Sequence, residues 1–266
     1  MSYLAFLLAT AVYWMQGTGA PLQRDFGRSA LGERVAAIEP PLWLRFILMV
    51  VVPVASLALL VALLTGMLGG IIELIVGAAV LLFSFGRLDF PTVTERYLAR
   101  ARHGDAAGAA LVLEECGLDG AAHDNDGFAA DAARIFLYEG FQRWFAPVFY
   151  FLLLGPYGAL AYRLTILDNS GRRGDLLVTA ADWLPARMLV LTFAAVGSFA
   201  GAWNVLKERA FEPEVATEDL LLESAESALA LDSHDTNAAS RVAAVLVAIK
   251  KAWVVWILVV SVLAIL

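Results

Sequence analysis

FAPVFYFLLLGPYGALAYR, residues 145–163, and ADWLPAR, residues 181–187, decide how this chain folds. The first is an apolar and aromatic run broken at Gly155-Pro156 and closed by Tyr162 and Arg163. A membrane helix that must bend and then return to water has that pattern, because proline removes a donor and tyrosine and arginine anchor at the interface. The second stretch opens another apolar helix. Asp182 stands where an N-cap is expected, Pro185 in the first turn, and Arg187 just inside the hydrocarbon edge. The two stretches together present Tyr162, Arg163, Asp168, Asp182 and Arg187 near one membrane interface, and these five residues form the candidate ligand site.

Composition gives the same class. Of 266 residues 60% are hydrophobic and only 17% charged, with mean hydropathy +0.72, more apolar surface than one soluble core can bury. The expected fold is an all-α integral membrane protein with five to six membrane-embedded helices and a cytoplasmic helical region. The net charge of −7 excludes a nucleic-acid partner, which would need a basic face. The bilayer is the first expected partner. Cys116 is the single cysteine, so one chain holds neither a disulfide nor a thiolate cluster.

Six apolar segments are expected, at about 1–16, 46–68, 71–86, 144–162, 188–206 and 252–266. Residues 1–16 carry no charge and lack the basic opening of a signal peptide, so they read as a retained short helix. Residues 46–68 are 23 uncharged positions, more than the ~20 a spanning helix needs. GMLGG, residues 66–70, allows a tight turn before the return, on which Glu73 lies near the hairpin tip. Residues 87–143 form a polar helical insert. Thr92 and Glu95 have capping-box spacing ahead of Val93, Tyr97, Leu98 and Ala101, and Phe128, Ala132, Ile135, Phe136 and Phe141 stripe a later helix. Such stripes mark packing faces. Residues 217–231 read as an acidic amphipathic helix, and residues 165–175 as a loop of mixed charge.

If every segment crosses once, one side collects 15 basic residues against 4, and should be cytoplasmic. If residues 144–162 instead dip in and return, the count is 14 against 5, so charge leaves both topologies open. No catalytic residue is assigned. His103, His123 and His234 sit in polar surroundings without a metal-binding spacing, and no nucleophile elbow is present. The metal content is left unassigned.

LYEGFQRWFAPVFYFLLLGPYGALAYR, residues 137–163, with ADWLPAR, resembles the AmpE family, inner-membrane proteins associated with β-lactamase induction. More distantly it is similar to the CbiB/CobD family of cobalamin biosynthesis, ATP-dependent amide-forming synthases. The similarity runs from about residue 42 to the end, and Tyr162, Arg163, Asp168, Trp183, Pro185 and Arg187 match the shared pattern. The cobalamin branch carries Asp-Gly where this chain has Gln142-Arg143, and paired acids where it has Val178 and Thr179. Carboxylate pairs hold the magnesium of an Mg-ATP site. Without them, the resemblance implies a multi-pass regulator of the bacterial inner membrane rather than a synthase, with the enzyme question left open. It would use no cofactor and would bind an anionic small molecule or a protein partner. Mg-ATP belongs only to the alternative of a diverged synthase.

Overall fold

The computed structural model describes residues 2–16, 41–86, 89–115, 125–168, 176–209, 215–229 and 238–265. Residues 17–40, Cys116, His123, His234 and residues 169–175 lie outside them. No strand occurs among the described residues, and the protein is a helical membrane protein. Five stretches are long and apolar enough to cross a membrane: Leu42–Leu64, Gly69–Arg102, Asp131–Asp168, Leu176–Val196 and Ala239–Val262. Two compact units are built from them, Met1–Arg87 with Ala146–Ala181, and Leu88–Phe145 with Asp182–Leu266.

The first unit holds α1 (Ser2–Gln16), α2 (Leu42–Phe46), a π turn at Ile47–Val51, α3 (Val52–Phe85) and α7 (Ala146–Asp168). The 15 residues of α1 span about 22 Å, short of the roughly 30 Å hydrocarbon thickness. It packs parallel to the end of α3: Ala5 meets Gly77, and Tyr13 meets Phe85 edge-on at 5.4 Å. At the other end Met49 and Val50 cluster with Leu164 of α7, while Gly77 faces Phe151 of the same helix. A straight helix would put residues 49 and 77 about 42 Å apart, but residues 151 and 164 of α7 lie at most about 20 Å apart. The apolar segment therefore folds back on itself between its two contacts with α7.

The bend in α7 is sharper than a proline kink. Gly155 has φ 67° and ψ −159°, a conformation that L side chains rarely adopt. Twelve residues of straight helix would separate positions 150 and 162 by about 18 Å, yet the Tyr150 and Tyr162 rings stack at 5.3 Å. A Cβ on Gly158 would come within 2.6 Å of the Tyr150 carbonyl oxygen, so the two halves can close only around a glycine. Residues 144–162 thus do not form one straight helix, because the chain folds back at Gly155.

The second unit holds α4 (Phe90–Arg102), α5 (Ala106–Glu115), α6 (Asn125–Gly140), a second π turn at Phe141–Phe145, α9 (Phe199–Arg209), α10 (Thr217–Leu229) and α11 (Ala238–Ile265). It also takes the larger part of α8 (Leu176–Val196). Helices α6 and α11 run parallel: Gly140 packs on Ile249, and Phe145 on Trp253 and Trp256. Asp89, not Thr92, caps α4, accepting from the Thr92 N–H at 3.4 Å and its hydroxyl at 2.6 Å. Pro91 explains the earlier start, since a first-turn proline loses no bond. In the α4–α5 turn the Gly108 N–H, and then Arg100, hold the Asp105 carboxyl below its ordinary range.

The spanning helix expected at 188–206 is replaced by two helices. α8 runs from Leu176 to Val196, the chain breaks at Gly197-Ser198, and α9 follows. The Ser198 N–H donates to the Ala228 carbonyl at 2.7 Å, and a Cβ on Gly197 would lie 2.4 Å from that oxygen. Backbone contact with α10 thus ends the helix at a glycine. The acidic helix ends at Leu229 and is pinned by Arg134 to Asp219, Arg209 to Glu223 and Arg241 to Glu226.

Candidate functional site

Asp182 is a fully buried carboxylate of the second unit, 0% exposed. Its carboxylate accepts from the Tyr138 hydroxyl at 2.6 Å and the Gln142 amide at 3.1 Å, and that amide also donates to the Tyr138 oxygen at 2.8 Å. A buried carboxylate is tolerable only when its lone pairs are occupied in this way. Asp182 is not the N-cap that its sequence context suggests. Helix α8 starts at Leu176, so Asp182 and Pro185 are interior, and Asp182 accepts from Tyr138 on α6 and Gln142 in its π turn.

Two prolines account for the π turns. Ile47–Val51 ends two residues before Pro53, and Phe141–Phe145 two residues before Pro147. A proline ring clashes with the carbonyl four residues back, and a widened turn relieves the clash; the Val52 N–H accordingly bonds the carbonyl of Ile47, five back. Pro185 acts differently. It leaves the Ala181 carbonyl without its helical donor, and the Tyr150 hydroxyl donates to that oxygen at 2.8 Å.

In the first unit Tyr162 and Arg163 are buried on α7, and Asp168 closes that helix. Arg45 grips Asp168 with a fork: Nε donates to Oδ2 at 3.0 Å, and Nη2 to Oδ1 and to the backbone carbonyl at 3.1 Å each. Bidentate geometry and the negative end of the helix both favour this pair. It joins the start of the first long apolar helix to the end of α7, across 123 residues of sequence.

Arg187 lies on α8, with its guanidinium carbon 4.1 Å above the Trp183 ring and Nη1 donating to the Trp183 carbonyl at 2.7 Å. Tyr162, Arg163 and Asp168 thus belong to one unit, and Asp182 and Arg187 to the other. Sequence reading missed three participants. Arg45 was visible only as the basic flank of a span, and Tyr138 with Gln142 only as a four-residue spacing on a helix approaching the membrane. Among the described residues no three His, Cys, Asp or Glu side chains gather as a metal site.

A family model described as regulatory signalling modulator protein AmpE matches residues 1–266, the whole chain. The chain belongs to the AmpE family. No curated protein and no solved structure matches it. In this AmpE-family chain Gln142 and Arg143 both have structural work. Gln142 donates to Asp182, and Arg143 donates from Nε to Glu139 at 2.7 Å. An aspartate at 142 would instead set a second carboxylate against the buried Asp182.

Proposed function

We propose that this chain is a multi-pass protein of the bacterial inner membrane that modulates β-lactamase induction according to cell-wall status. It does so by receiving an anionic ligand or partner at the membrane interface through Arg187. The whole-chain match to a family of regulatory signalling modulators carries the reading. The excess of basic residues on one side supports the inner-membrane orientation, whether residues 144–162 cross or return. The bend at Gly155 favours the return. The Asp182 network ties α6 to the helix that bears Arg187, so ligation one turn along α8 has a route to the polar helices.

The donor role of Gln142 counts against the synthase alternative, whose metal needs carboxylates where this chain places an amide. The test is a deletion strain challenged with a β-lactam and complemented with wild type or Arg187→Ala. Altered induction that only wild type restores is the expected result, and unchanged induction in the deletion strain overturns the proposal. Magnesium-dependent nucleotide turnover by the purified chain, lost in Asp168→Asn, would instead favour the synthase.

A further inference from the structure

We infer that the Arg187–Trp183 pair is a binding site for a phosphate-headed anionic lipid, whose acyl chain lies along Leu184, Met188 and Leu191. This deepens the anionic-ligand reading above and rests on it. The level of the site comes first. Asp182 accepts from Tyr138 and Gln142, and Gly140 packs on Ile249, immediately before the exposed Lys250 and Lys251 that are the last charges of α11. Asp182 therefore sits where the unit passes from charged surface to apolar helix. The Arg187 side chain reaches back one turn to the Trp183 carbonyl, which puts its guanidinium one residue from that level. A cation on a spanning helix snorkels in this manner, and interfacial tryptophan sits at headgroup depth.

The second observation is the surface of α8. Trp183, Leu184, Met188 and Leu191 are 41%, 44%, 42% and 39% exposed, whereas Pro185, Ala186, Leu189, Val190 and Phe193 are buried. One face of the helix packs inward, and the opposite face presents an apolar strip that starts at the guanidinium. An acyl chain matches the strip, and a phosphodiester matches the charge and planar geometry of a guanidinium. Contact with the indole and the Trp183 carbonyl holds the guanidinium in place, which lowers the ordering cost of binding an anion. A headgroup with net negative charge is preferred, since a zwitterion offers its own cation to the same site.

The experiment is native mass spectrometry of the full chain in detergent. It is titrated with dihexanoyl phosphatidylglycerol, dihexanoyl phosphatidylcholine or glycerol 3-phosphate, and melting temperature is recorded in parallel. Wild type should retain phosphatidylglycerol over phosphatidylcholine. Arg187→Gln should lose about tenfold in that affinity, the scale of one charged hydrogen bond, while Arg96→Gln does not. Arg187→Lys, which keeps the charge without the fork, should fall between and covers the case in which Arg187→Gln melts early. Equal retention of the two lipids, or wild-type affinity in both Arg187 variants, overturns the inference. Glycerol 3-phosphate binding as tightly as the lipid overturns the lipid and leaves a soluble anion as ligand. An unchanged induction phenotype in the deletion strain removes the regulatory role without altering these affinities.

Discussion

Asp182 is the residue on which the polar interior of the second unit depends. Truncation to alanine would leave the Tyr138 hydroxyl and the Gln142 amide buried without their shared acceptor. The hydroxyl loses its acceptor while the amide keeps the Tyr138 oxygen, so at about 1–3 kcal/mol for an orphaned group Asp182→Ala should destabilise by roughly 1–3 kcal/mol. Asp182→Asn, which keeps one acceptor oxygen, should cost less. Thermal melting of the purified variants checks the order, and equal melting points would mean that the network contributes nothing. The sequence flagged Asp182 through its motif but assigned it the wrong role. An N-cap and an interior acceptor look alike in one dimension, and only the start of α8 at Leu176 separates them. Gln142 stood out only as a departure from the cobalamin branch, because the role of an amide on an apolar helix comes from the carboxylate facing it.

Single glycines decide the shape of whole elements here. Gly155 holds α7 bent at φ 67°, so Gly155→Ala should cost about 1–3 kcal/mol of backbone strain. It should also weaken the approach of Tyr150 to Tyr162, which a disulfide between cysteines placed there would report. Gly197→Val is expected to be more disruptive than Gly104→Ala. A Cβ at 197 meets the Ala228 carbonyl oxygen at 2.4 Å, whereas one at 104 meets nothing within 4 Å and bears only its positive φ, about 1–2 kcal/mol. Similar melting of the two variants would show that the α9–α10 contact yields easily. The apolar lengths of the long helices could be read from hydropathy alone. The break at Gly197 could not, since residues 188–206 are apolar enough for one span and the reason for stopping lies on α10.

For the molecule as a whole, the class was legible and the partition was not. Apolar runs and their flanking charges report the medium each segment prefers, which local sequence encodes. The division at residues 87, 145 and 181 depends on which distant helices pack together, and local sequence does not encode that. The orientation can be tested directly. Single cysteines at the exposed positions 95 and 102, in a Cys116→Ser background, should react with an impermeant thiol reagent only after the cells are opened. Labelling of intact cells would place the insert outside.

The Arg45–Asp168 fork also has a consequence for the order of synthesis. Asp168 leaves the ribosome 123 residues after Arg45, a delay of about 6–25 s at ordinary elongation rates of ~5–20 residues per second. For that interval the first long apolar helix is held without the partner that will fix its end. Because Arg45 is the fourth residue of α2, at the start of that apolar segment, lipid phosphates are within its reach while it waits. The acidic lipid content of the membrane should therefore influence how efficiently the nascent chain assembles, before any ligand of the finished protein is encountered.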